Sequence, residues 1–88
     1  MGFKRKFQVG DFVKLNQKGL EKYSYRWECP AGARVISISP YTEGDRTRYE
    51  YAVTLRNAYT KILRTFFFRS WELDHASPPC IINIEELI

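Results

Sequence analysis

One ten-residue segment, RYEYAVTLRN, constrains the fold of this chain more than any other part of its sequence. It runs from residue 48 to residue 57, and apolar side chains alternate with polar ones along most of it. This two-residue period is typical of a β-strand with one buried face, because successive side chains of a strand point to opposite sides. The predicted buried face consists of Tyr49, Tyr51, Val53 and Leu55.

Four further segments have the β-branched and aromatic content of short strands, and turn residues bound each of them. They are VGDFVKL, ARVISISPY, TKILRTFFFR and a short segment at about residues 73–76. A hairpin turn is expected at Gly44 and Asp45, and a single 3₁₀ turn at SWEL, before the last strand. Residues 16–32 form a long first loop, where the spacing of Leu20, Tyr23 and Trp27 permits one or two helical turns. The sequence therefore predicts an all-β fold, a small five-stranded antiparallel barrel with a long first loop and a C-terminal extension.

The segment TFFFR places three phenylalanines in a row, and they cannot all enter one core from a single strand. We expect Phe66 and Phe68 to face the interior and Phe67 to face away. An outward Phe67 has two alternative roles. Either the C-terminal tail or the loop around Trp27 covers its ring, or the ring belongs to an interface with a partner.

The length of 88 residues predicts one domain, divided into a basic N-terminal arm, a barrel and a C-terminal extension. The arm comprises residues 1–7, the barrel residues 8–76, and the extension residues 77–88, whose aliphatic side chains predict that it docks on the barrel. The only cysteines are Cys29 and Cys80, and the only histidine is His75. These are too few for a usual zinc site or a disulfide scaffold, so we expect free thiols, no metal and no cofactor. With no apolar run near ~18 residues, the sequence predicts no membrane partner and a cytoplasmic protein.

Four segments together, VGDFVKL, AGARVISI, YEYAVTL and TFFFRSWELD, resemble Src-homology-3-like barrels of the KOW and Tudor type. The resemblance covers roughly residues 8–76 and extends to small uncharacterised phage and bacterial barrels and to ferredoxin-docking subunits of photosynthetic complexes. It implies a barrel that binds RNA, a peptide or an electron carrier without catalysis. The second segment departs from the KOW pattern, because Ala33 and Arg34 separate Gly32 from Val35, and this argues against ribosomal RNA as the ligand. The matching positions are Gly10, Asp11, Val13, Gly32, Ala33, Val35, Tyr51, Val53, Phe68, Arg69, Glu72 and Leu73.

Composition and motifs favour binding over catalysis. The chain contains no glycine-rich phosphate loop and no carboxylate pair placed across a cleft, so we do not expect an enzyme. The formal net charge is +4, and its excess lies in the first twenty residues. Such a charge is compatible with nucleic-acid binding, although it also serves solubility alone. The residues predicted to contact nucleic acid are the basic Lys4, Arg5, Lys6, Arg46 and Arg48 and the rings of Tyr23, Tyr25, Trp27, Tyr41 and Tyr59.

An alternative function is docking of an acidic protein or a peptide. Aromatic side chains of the long first loop would line a groove, and the basic surface would attract the partner over a distance. The ring-bearing residues concerned are Tyr23, Tyr25, Trp27 and Tyr59. A homodimer formed through the C-terminal tail and Phe67 is compatible with either function.

Overall fold

The computed structural model of the protein describes residues 6–23 and 26–78, and most of them lie in antiparallel β-strands. One short helix and one 3₁₀ turn accompany the strands. In chain order the elements are β1 (Val13–Leu15), α1 (Gln17–Lys22), β2 (Trp27–Glu28), β3 (Val35–Glu43), β4 (Arg46–Asn57), β5 (Leu63–Arg69), the 3₁₀ turn (Ser70–Glu72) and β6 (Leu73–His75).

The strands form two antiparallel sheets. β4 is central to the larger sheet, where it pairs with β3, with β5 and, near its end, with β2, while β1 pairs with β6 in the smaller sheet. Phe12 and Arg34 form an antiparallel β-bridge between the sheets. Next to this bridge, the Gly10 N–H donates to the Val35 carbonyl, and the Val35 N–H donates to the Asp11 carbonyl. The strand pairing within the described ranges does not close into a barrel.

The predicted alternation in the central strand is confirmed. Tyr51, Val53 and Leu55 are each at most 1% exposed, and Tyr49 is half-buried against them. The hairpin at Gly44 and the 3₁₀ turn at SWEL are also confirmed. The buried core consists of Phe7, Val13, Ala33, Val35, Tyr51, Val53, Leu55, Phe68 and Leu73.

Two features differ from the predicted architecture, one in the first loop and one in the N-terminal arm. The described residues contain six strands where five were predicted, because Trp27 and Glu28 pair with the end of β4. An ion pair of 3.2 Å between Glu28 and Arg56 accompanies this pairing. The core also reaches beyond the predicted start of the barrel at residue 8, since the Phe7 ring is fully buried and packs edge-on against Tyr51.

The three consecutive phenylalanines alternate as predicted. Phe68 is fully buried and Phe66 packs against the core from the same face, while Phe67 lies opposite and is 45% exposed. Phe67 is the strand partner of Ala52, which is 2% exposed. The predicted cover of Phe67 by the C-terminal tail concerns residues outside the described ranges.

Helix α1 packs tightly against the 3₁₀ turn. The Asn16 side chain caps the helix by accepting the Gly19 N–H, and its amide nitrogen donates to the Trp71 carbonyl at 2.8 Å. Gly19 is buried at the contact, where an added Cβ would lie 2.3 Å from the Glu72 carbonyl oxygen. The Lys22 ammonium contacts the Glu72 carboxylate at 2.9 Å, and the same carboxylate accepts the backbone N–H of Arg69. These contacts fix the position of the turn that bears Trp71.

No helix in the described ranges has the length and apolar character needed to span a lipid bilayer.

Candidate functional site

A small pocket lies between the β3–β4 hairpin and the 3₁₀ turn. Its residues come from distant parts of the sequence, and cross-strand pairing places Tyr41 of β3 beside Arg48 of β4. We refer to it as the ring pocket, and its lining consists of Lys6, Tyr41, Arg48, Tyr49, Tyr51, Ser70 and Trp71.

The Trp71 ring stands at the rim of the ring pocket with arginines near it. The guanidinium carbons of Arg48 and Arg69 each lie 5.9 Å from the centre of the indole ring, and the Trp71 residue is 43% exposed. Arg69 also lies over the Tyr41 ring at 4.0 Å and donates to the Tyr41 hydroxyl. An arginine in contact with an aromatic face is held by cation–π attraction, so these side chains form a preorganised group.

Carboxylates near the ring pocket orient its arginines through long ion pairs. Glu43 lies 3.6 Å from Arg48 and 3.9 Å from Arg69, and Glu50 lies 3.9 Å from Arg69. Ion pairs that remain accessible to solvent contribute about 0–1 kcal/mol, so they do not hold the guanidinium groups strongly. With Lys6 included, three cations face two carboxylates, and the local charge is positive.

Both the backbone and the side chain of Lys6 form hydrogen bonds at the ring pocket. Its N–H donates to the Tyr51 hydroxyl, and its ammonium donates to the carbonyls of Ser70 and Leu73 at 3.0 and 2.8 Å. An ammonium has three N–H donors, so two carbonyls do not use all of its donors. These bonds hold a positive charge at the 3₁₀ turn.

Two of the predicted aromatic residues lie against the interior. The centre of the Tyr23 ring lies 4.6 Å from the centre of the Phe66 ring, and the centre of the Trp27 ring lies 4.8 Å from it. The Tyr23 hydroxyl donates to the Phe67 carbonyl, which further fixes this loop on β5. Both rings are therefore engaged in packing rather than displayed together in a groove.

The remaining predicted residues are distributed over the molecule. Arg46 is exposed at the start of β4, next to the hairpin that carries Arg48. Tyr59 is 78% exposed at the opposite end of β4, where it lines a second hollow with Arg26, Asn57 and Thr60. Lys4, Arg5 and Tyr25 fall outside the described ranges.

The sequence interpretation missed Trp71 and Arg69 as site residues. A signal was available, because the segment RSW places a large ring two residues from an arginine in a predicted surface turn. The segment itself does not reveal that Arg69 contacts Tyr41 or that Trp71 lies near Arg48. Tyr41 and Arg48 belong to the β3–β4 hairpin, which is distant in sequence.

Side chains suited to metal binding are not gathered anywhere in the described ranges. No cluster of three or more histidine, cysteine, aspartate or glutamate side chains occurs in that part of the chain. Burial raises the pKa of the Cys29 thiol above its ordinary value and outweighs the opposing effect of a backbone hydrogen bond from Leu15. The thiol contacts the Val13 carbonyl at 3.6 Å, so Cys29 is a protonated packing residue at neutral pH.

Comparisons of the chain with models of known families, with curated proteins and with solved structures each give no match. Its function is therefore inferred from the chemistry of the ring pocket.

Proposed function

We propose that the protein is a non-enzymatic binding module for single-stranded nucleic acid, acting in the cytoplasm. The observation that carries this proposal is the exposed Trp71 ring near the guanidinium groups of Arg48 and Arg69. Unpaired bases stack on accessible aromatic rings whatever their sequence. Arginine and lysine bind the phosphates of the strand next to the stacked base. Trp71 would stack a base, and Arg48 and Lys6 would contact the backbone.

The charge of the ring pocket favours an anionic ligand. Aromatic pockets also bind cations, such as methylated lysine, because the face of an aromatic ring is electronegative. Here two cationic residues, Lys6 and Arg48, belong to the lining, and no carboxylate does. They would repel a cationic ligand and attract a phosphate.

We propose the finer architecture as a Src-homology-3-like barrel. Its support is the pairing of the first and last strands, the three-stranded sheet of β3, β4 and β5, and the 3₁₀ turn that precedes β6. Backbone hydrogen bonds from residues 10–13 to residues 33–35 join the first strand region to β3. In this protein the β3–β4 hairpin and the 3₁₀ turn both contribute residues to the ring pocket.

A Trp71→Ala substitution is expected to weaken binding of a fluorescent 12-nucleotide oligothymidylate about 5- to 160-fold. The expected loss is that of one stacked base, about 1–3 kcal/mol. Fluorescence anisotropy at 50 mM salt measures the dissociation constant. For the unmodified protein, two or three phosphate contacts predict that affinity falls about 7- to 20-fold between 50 and 200 mM salt.

The matched control is Tyr59→Ala, which removes a more exposed ring at the opposite end of β4. Its affinity is expected to stay within about twofold of that of the unmodified protein, since stacking contributes only where a base meets a ring. Equal affinities for the two variants would contradict a role for Trp71, and absence of binding at 50 mM salt would contradict the function itself.

A second candidate function, docking of an acidic protein, is favoured by a different surface. Tyr59, Ile62 and Leu63 are all more than half exposed around the β4–β5 turn, next to the basic Arg26. An exposed apolar group beside positive charge suits an acidic partner with an apolar contact. If Tyr59→Ala abolishes binding to a polyglutamate-containing peptide and Trp71→Ala does not, this second candidate is supported.

A further inference from the structure

The size of the ring pocket limits which part of a nucleic acid can enter it. Its volume of ≈ 90 Å³ is smaller than the ~150 Å³ cavity that holds benzene in an engineered protein. The ring pocket is therefore too small to enclose a nucleobase, which is larger than benzene, and the base is left to stack on the exposed Trp71 ring. A phosphate group is compact enough to enter beside it.

The inner wall of the ring pocket is closed. Tyr51, which contributes to the lining, is only 1% exposed, and its hydroxyl is already bound by the Lys6 N–H. Tyr49 is half-buried against the core. A phosphodiester within a strand continues in both directions and needs an open groove, whereas a terminal phosphate ends at its own oxygen atoms. Because the ring pocket ends at these core residues, a group that enters it has no exit on the far side, and this suits a terminal group.

The charges in the ring pocket suit a terminal phosphate as well. A phosphate monoester carries about −1.5 to −2 charges at pH 7 and three strong acceptor oxygens, whereas an internal diester carries one charge. The lining contains two cationic residues, Lys6 and Arg48, together with Ser70. Glu43 and Glu50 lie outside the lining, where they contact Arg48 and Arg69 through the long ion pairs described above.

We propose that the ring pocket binds the terminal phosphate monoester of a nucleic-acid strand while the adjoining base stacks on Trp71. This inference rests on the proposed function and narrows its ligand to strands with a phosphorylated end. Arg48 would bind the phosphate through its planar fork of N–H donors, and Lys6 would add a point charge.

The test compares three versions of one ten-nucleotide oligothymidylate, with a 5′-phosphate, with a 3′-phosphate, and with hydroxyl groups at both ends. One of the two phosphorylated strands is expected to bind the unmodified protein about tenfold more tightly than the hydroxyl strand, because a charge-assisted contact is added. Arg48→Gln is expected to reduce this advantage to less than about twofold. Arg64→Gln, the same change of charge at an exposed arginine near Trp27, is expected to retain it.

The outcomes separate this inference from the proposed function. Equal affinities for the three strands would overturn the terminal-phosphate site and leave nucleic-acid binding intact, and binding of none of them would overturn both. A phosphate advantage that persists in Arg48→Gln would place the phosphate elsewhere and overturn the assignment to the ring pocket. Thermal melting of both variants checks that they are folded. If Arg48→Gln is unfolded, Arg48→Lys takes its place, and an undiminished advantage in that variant would overturn the role of the planar fork.

Discussion

A Gly19→Ala substitution is expected to destabilise the protein by about 3 kcal/mol, although alanine is the better helix former. The methyl group would lie 2.3 Å from the Glu72 carbonyl oxygen and 3.1 Å from the Leu15 side chain, and the first of these contacts is with backbone. Relief of the clash requires helix α1 to move away from the 3₁₀ turn. For a domain of this size, thermal denaturation followed by circular dichroism should show a fall in Tm of about 12–24 °C.

The control for this substitution is Lys18→Ala, at the adjacent exposed position of the same helix. Its effect is expected to stay within about 0.5 kcal/mol, as for most surface changes. Helix propensity alone predicts that Gly19→Ala raises the melting temperature. A rise, or no change, would therefore contradict the close contact between α1 and the 3₁₀ turn.

A Glu72→Ala substitution is expected to lower the free energy of unfolding by about 3 kcal/mol, the lower end of the range for breaking a buried ion pair. The Glu72 side chain is 10% exposed and accepts hydrogen bonds from the Lys22 ammonium and from the Arg69 N–H. Its loss leaves both donors without this acceptor. The Lys22 side chain is 27% exposed, so its ammonium can still reach water, which limits the cost.

Urea denaturation measures this effect, with Glu21→Ala as the matched control. Glu21 is an exposed glutamate on the same helix whose carboxylate accepts a hydrogen bond from the Gln17 amide one turn away, so its removal should cost less than about 0.5 kcal/mol. The double variant Lys22→Ala with Glu72→Ala should be less destabilised than the sum of the single effects. Equal effects of Glu72→Ala and Glu21→Ala would show that the buried pair contributes nothing to stability.

Local patterns were sufficient to predict most of the strands. The alternation in residues 49–56, the glycine of the hairpin and the 3₁₀ turn are signals carried by neighbouring residues, and the structure has all three. The first loop was harder to predict. Its helical turn was expected from Leu20, Tyr23 and Trp27, but only Leu20 lies in α1, because Tyr23 follows its end and Trp27 begins β2. Their positions depend on Phe66 and on the end of β4, which lie far away in sequence.

The candidate site was predicted in part. Lys6, predicted as part of the basic arm, and Arg48, predicted at the hairpin, both line the ring pocket. Trp71 and Arg69 were not predicted as site residues, since exposure of a ring is decided by its neighbours in space. Tyr23 and Trp27 have the same aromatic character as Trp71, yet the structure packs them against Phe66. Composition alone does not distinguish a ring that fills the interior from one that is available to a ligand.

The proposed stacking of a base of a single-stranded nucleic acid on Trp71 is tested most directly by NMR titration of the unmodified protein. The chain has two tryptophans, so a ¹⁵N–¹H spectrum contains two indole N–H signals, which a Trp71→Phe variant assigns. Titration with a ten-nucleotide oligothymidylate is expected to shift the Trp71 signal in a saturable way and to leave the signal of Trp27, packed on Phe66, in place. Saturable movement of the Trp27 signal alone, or no movement of either at millimolar oligonucleotide, would contradict the claim.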